Sequence, residues 1–149
     1  MGAYKRILVG TDGSETSLLA VDRAGKVAAA SDAQLVIVTA YEQASRDEIL
    51  EARDALKGDA FMVVGSAPAE SILRTASGRA RAAGATQIET LAIEGLAVSV
   101  LDKAVTDTGA DLIVVGNVGL NTLSGRILGS VPQTVARRAD VDVLIVHTS

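Results

Sequence analysis

Short apolar runs, each followed by residues at helical spacing, constrain the fold of this chain more than any other feature. Arg6-Ile-Leu-Val9 stops at Gly10, Gln34-Leu-Val-Ile-Val38 is a second run, and Asp111-Leu-Ile-Val-Val115 stops at Gly116. Ile88–Glu94 is a weaker, alternating run, and Val141–His147 closes the series. A short, continuous apolar run suits a strand covered on both faces, as in a parallel sheet. Between the runs, apolar residues recur at helical spacing over Ser14–Ala30 (Leu18, Val21, Ala24, Val27, Ala28) and Ala69–Ala83 (Ile72, Leu73, Ala76, Ala80). The same spacing returns over Ala97–Thr108 (Val100, Leu101, Ala104, Val105), and a last helix is expected over Val131–Ala139. Strands alternating with helices predict one doubly wound α/β domain over residues 1–149. Its sheet is five-stranded and parallel, in the flavodoxin/Rossmann-like order 3-2-1-4-5. Residues Tyr41–Phe61 fit least well. They read as a mobile connection, with a thin helical pattern over Asp47–Lys57 and a short extended piece at Phe61–Val64.

Composition removes several function classes. The chain is 48% apolar and only 2% aromatic, so its core is aliphatic and offers few platforms for stacking bases. Its net charge of −4 argues against a nucleic-acid or anionic-membrane partner, which calls for a basic face. With no cysteine there is no thiolate chemistry and no cysteine-based zinc site. No apolar run approaches the roughly 20 residues of a membrane span. Met1-Gly-Ala-Tyr-Lys-Arg leads straight into the first run without a signal-type apolar region. A soluble cytoplasmic protein is expected.

The chemistry is concentrated in glycines. Gly116 and Gly119 follow the fourth run, and Gly129-Ser130 stands where the last helical pattern begins. Glycine lets backbone N–H groups approach a ligand, and a helix N-terminus offers unpaired N–H groups with the positive end of its dipole. The pattern therefore suits a phosphate cradle, and equally suits a flexible loop ending in an ordinary helix cap. Thr11-Asp12-Gly13-Ser14 after the first run is a matching polar loop. In open α/β sheets ligands settle at the carboxyl ends of strands where strand order reverses. Neighbouring first and fourth strands would bring both loops to one crevice. No lysine follows these glycines as in a P-loop, and Gly10 and Gly13 do not make the dinucleotide fingerprint.

Gly116-x2-Gly119-x9-Gly129-Ser130 resembles the nucleotide motif of the universal stress protein family, and Ile7-Leu-Val-Gly-Thr-Asp-Gly-Ser14 resembles that family's first strand and loop. The resemblance covers essentially the whole chain. Asn117-Val-Gly-Leu and Gly129-Ser-Val-Pro132 look most like the actinobacterial branch, some members of which bind cyclic AMP as well as, or in preference to, ATP. The resemblance implies an adenine-nucleotide site, with ATP or cyclic AMP bound as sensor or reservoir and little turnover. Mg²⁺ or Mn²⁺ could accompany ATP. It puts Gly116 and Gly119 along the ribose and phosphates, and Gly129, Ser130 and Val131 at phosphate oxygens. It puts Asp12 by the adenosine, and the backbone near Ala40 at the adenine edge. It counts Gly10 and Asn117, at the same strand ends, among the ligand-binding residues, and Arg126 could screen phosphate charge or be solvated. Pro132 departs from the family pattern and removes one N–H from the first helical turn.

Other residues have plainer readings. Ser14 is expected to cap the first helix, and Asp12 could serve the same helix start. One of Arg137 and Arg138 could join a surface ion pair. His147 alternates with apolar residues and suits a strand surface or interface better than catalysis. The last run would lie at a sheet edge, where an apolar strand invites pairing with another chain. In universal stress proteins the final strand pairs across a dimer two-fold, so the resemblance implies a homodimer through Val141, Val143, Ile145 and His147. A slow ATPase, an adenylyl-transferring enzyme on a related fold and a ligand-free interaction module remain as alternatives.

Overall fold

The computed structural model describes residues 2–42, 66–117 and 130–148. Five strands are described: β1 Arg6–Gly10, β2 Gln34–Tyr41, β3 Ile88–Glu94, β4 Leu112–Gly116 and β5 Asp142–Val146. Four helices accompany them: α1 Glu15–Ser31, α2 Ser66–Ala83, α3 Ala97–Thr108 and α4 Ser130–Arg138. All strand pairs are parallel, and the sheet order is β3-β2-β1-β4-β5, as the sequence pattern predicts. The expected connection over 41–61 and the extended piece at 61–64 lie almost wholly outside the described residues. Among the described residues, no helix is long and apolar enough to cross a membrane.

The solid apolar runs are explained by two cores, one on each face of the sheet. Ile7 and Val9 of β1, Leu35 and Ile37 of β2, and Leu112 and Val114 of β4 point to one face. There they meet Leu18, Val21 and Ala24 of α1 and Leu73, Ala76 and Ala80 of α2. The alternate residues Leu8, Val36, Val38, Ile113 and Val115 meet Val100, Leu101 and Ala104 of α3 and Val135 of α4 on the other. Alternate side chains of a strand point to opposite faces, so only a strand covered twice needs an unbroken apolar run. The edge strands β3 and β5 are only partly covered, which is why β3 alternates and β5 carries exposed Asp142.

Element ends follow local chemistry. Ser14 caps α1: its backbone is extended and its Oγ accepts from the N–H of Ser17. Asp32 ends the same helix in the left-handed region at φ 51°, where its N–H returns to Ala28 and Ala29 carbonyls. β2 runs to Tyr41, three residues beyond the expected Val38, because Thr39, Ala40 and Tyr41 continue the ladder against Ala92, Ile93 and Glu94. β5 is one residue shorter at each end than the expected Val141–His147.

Asp111 sits just before β4 rather than in it. Its carboxylate accepts from the backbone N–H groups of Lys5 (3.0 Å) and Arg6 (3.1 Å), and so fixes where β1 begins. Burial works against its charge, but hydrogen bonds from Lys5, Arg6 and its own N–H outweigh that and hold the carboxyl below its ordinary value. A folded-state value below the unfolded one gives stability that is present above the ordinary carboxylate range. That stability is lost as pH falls through the lowered folded value. Asp111→Ala should therefore lower stability by about 1–3 kcal/mol at neutral pH, with the gap to wild type closing in acid. Urea unfolding at neutral pH and at about pH 3 measures this, and a pH-independent gap would contradict it.

Candidate functional site

β1 and β4 are neighbours in register, Ile7 against Leu112 and Val9 against Val114, so the two strands end next to each other, with Gly116 one residue further along than Gly10. This is also where strand order reverses. From β1 the chain crosses through α1 to β2 on one side, while β4 and β5 extend the sheet on the other. α4 lies between β4 and the parallel β5 in the chain, so it runs back across the sheet and its N-terminus starts from the carboxyl edge. The carboxyl ends of β1, β2 and β4 and the start of α4 therefore share one edge. The fold brings together the sequence-predicted residues Gly10, Asp12, Ala40, Gly116, Asn117, Ser130 and Val131 along it. Gly119, Arg126 and Gly129 lie outside the described residues.

Packing at the two strand-end glycines is tight. A Cβ at Gly10 would meet Leu101 Cδ2 at 3.0 Å, and one at Gly116 would meet Thr148 Cγ2 at 3.3 Å and the Thr16 carbonyl at 3.7 Å. The loop from Thr11 to Ser14 is held by its own side chains. Thr11 continues the ladder by donating its N–H to the Val38 carbonyl (3.0 Å). Its hydroxyl shares a hydrogen bond with Ser17 Oγ (2.8 Å) and accepts from the N–H of Gly13 (3.1 Å). Gly13 has φ +84°, and a Cβ there would press on Ile72 at 2.9 Å, so glycine is needed twice over. Asp12 Oδ1 accepts from the N–H of Ser14 (2.9 Å), so the carboxylate does serve the helix start. Replacing the cap, Ser14→Ala, should cost about 1 kcal/mol in chemical unfolding. An unchanged midpoint would mean that the cap is idle.

In the third part of the edge, Asn117 is expected from sequence but its partner Thr148 is not. Asn117 follows Gly116, donates its N–H to the Val146 carbonyl (2.9 Å), and is buried. Its side-chain oxygen accepts from both the N–H and the hydroxyl of Thr148, each at 2.9 Å. Its Nδ2 group faces His147 Nδ1 at 3.3 Å. Thr148 is buried as well, whereas His147 is exposed just past β5. Nothing in the sequence around Thr148 marks it as a partner of Asn117. Elsewhere the residues behave as their chemistry suggests. Ala40 and Val131 are half-buried against the core on the α3 and α4 face. Pro132 is the third residue of α4, where its missing N–H breaks no helical bond. Arg138 pairs with Asp102 on α3 at 3.0 Å, an exposed contact of little worth.

A parallel, doubly wound sheet with two glycine-ended strands adjacent at its switch point defines an open α/β protein whose carboxyl edge is the usual place for a ligand. The sequence model of the universal stress protein family matches residues 3–147, and the chain belongs to that family. Universal stress protein Rv1636 of Mycobacterium tuberculosis is 51% identical over 149 residues, covering the whole of both chains. This agrees with the likeness to the actinobacterial branch. The crystal structure of a universal stress protein in complex with cAMP is 50% identical to this chain. It covers 99% of this chain and 100% of its own, with a TM-score of 0.76. A universal stress protein from Archaeoglobus fulgidus in complex with dAMP shares the fold at 18% identity, with a TM-score of 0.65 and coverage of 95% and 97%.

Proposed function

We propose that this chain binds an adenine nucleotide, cyclic AMP or ATP, along the edge formed by β1, β2, β4 and the start of α4. It holds the nucleotide as a sensor or reservoir in stress response or signalling rather than turning it over rapidly. The observation that carries this reading is the adjacency of Gly10 and Gly116 at the switch point, with a nine-residue helix starting from the same edge. The half-identical relative that holds cAMP supports cyclic AMP as the first ligand to test. In this reading Ser130 and the Val131 N–H, with Gly129, meet phosphate oxygens at the positive end of α4. Gly116 and Gly119 lie along the ribose and phosphates, with Asn117 between them and Arg126 screening charge. Asp12 meets the adenosine beside Gly10, and the backbone at Ala40 meets the adenine edge. Pro132 leaves the N–H groups of Ser130 and Val131 in place, so the first turn still suits a single phosphate. With ATP, Mg²⁺ or Mn²⁺ would balance the longer phosphate chain. A cytoplasmic location goes with such a ligand.

Ser130→Asp separates folding from binding. A carboxylate in the first turn favours the helix, yet it repels a phosphate placed there. At about 4 Å the repulsion is about 1 kcal/mol in water and about 4 kcal/mol nearer the protein. Calorimetric titration should show cyclic AMP or ATP binding to wild type and a loss on the order of tenfold or more in Ser130→Asp. Heat from neither nucleotide with wild type would sink the reading. Turnover near 1 per second or faster would favour an enzyme instead.

The same reading includes a homodimer through β5. Val143 and Ile145 are half-buried in the isolated chain, on a strand whose outer edge has no neighbour among the described residues. Pairing β5 with its copy, with Val141 and His147 at its two ends, would satisfy those backbone groups. Val143→Asp should run as a monomer on size exclusion where wild type runs as a dimer. A dimer in both would put the interface elsewhere.

A further inference from the structure

Asn117 lies at the mouth of the proposed crevice, but its side chain is turned away from solvent and towards the last described residues of the chain. The amide oxygen has two lone pairs, and both are used, by the N–H and the hydroxyl of Thr148. The amide nitrogen, a donor only, faces His147 Nδ1. Turning this amide outward to a ligand would strand two donors of Thr148, itself only 8% exposed. A buried donor left without a partner is costly, so the inward arrangement is the one the chain holds.

The other side of Thr148 packs against the strand end. Its Cγ2 lies near Gly116: a Cβ there would meet it at 3.3 Å, with the Thr16 carbonyl of α1 in ordinary contact at 3.7 Å. Thr148 and the first turn of α1 thus both stand on the Cβ side of Gly116. That turn also carries Ser17, whose hydroxyl is tied to Thr11 of the facing loop.

We infer that Asn117 is a positioning residue: it acts through Thr148 to fix the Gly116 end of β4, and does not itself touch the ligand. The inference rests on the nucleotide reading and deepens it. It also makes the crevice and the β5 edge share one clamp, because Thr148 follows β5 directly.

The test is calorimetric titration of the full chain with cyclic AMP, on wild type, Asn117→Ala, Thr148→Val, Thr148→Ser and the Asn117→Ala/Thr148→Val double variant. Each of the two changes in the double variant should weaken binding on the order of tenfold when made alone. Their combination should be little weaker than the worse single change, because both break one link. Thr148→Ser keeps the hydroxyl bond and should lose less affinity than Thr148→Val. Thr148 variants of near-native shape keep the comparison valid even if Asn117→Ala folds poorly. Wild-type affinity in Thr148→Val alongside a loss in Asn117→Ala would mean that Asn117 meets the ligand directly, and would overturn the inference. Lower melting temperatures with unchanged affinity would reduce the clamp to a structural role and overturn it too. Wild type that binds no cyclic AMP removes this inference together with the cyclic-AMP form of the reading, whereas unaffected variants of a binding wild type remove the inference alone.

Discussion

The pairing of β1 with β4 is the contact on which the rest of this molecule depends. β1 lies at the centre of the sheet, and Ile7, Leu8 and Val9 are fully buried between helices on both faces. Parallel strands need crossovers; here the chain leaves β1 through α1 for β2 on one side and returns from β3 to place β4 on the other. That reversal leaves a crevice at two adjacent strand ends. Both strands end in glycine at that crevice. The geometry of this edge is therefore a consequence of burying the central strand, not a separate construction laid on the fold.

Much of this architecture is legible in the chain because a strand covered twice has no choice of residue. Arg6–Val9, Gln34–Val38 and Asp111–Val115 announce themselves as unbroken apolar runs, and helical spacing marks α1, α2, α3 and α4. Misreadings occur where tertiary contacts override local pattern. Thr39 reads as a place for β2 to stop, yet the ladder to β3 carries the strand through it to Tyr41. Asp111 reads as the first residue of β4, yet it leaves the strand to hold the start of β1. Both depend on a partner far away in sequence, which local spacing cannot encode.

The site divides in the same way. Gly10, Asp12, Gly116 and Ser130 could be picked out because glycine before a loop and a small polar residue at a helix start have few other uses. Their reasons proved to be double. Leu101 and Thr148 stand close against Gly10 and Gly116, and Asp12 supports the start of α1. In the proposed reading such a residue both satisfies packing and leaves room for a ligand, two constraints at once. The Asn117–Thr148 clamp had no such signal, since its partners are separated by thirty-one positions and neither is unusual alone.

The central claim is that the switch-point edge, and not another surface, receives an adenine nucleotide. A crystal structure of the full chain grown with cyclic AMP tests it most directly. The account predicts a phosphate against the first turn of α4 at Ser130 and an adenine over the end of β2 near Ala40. Nucleotide density elsewhere, for instance in the shallow groove of Glu70, Arg74 and Thr90 between α2 and β3, would contradict it.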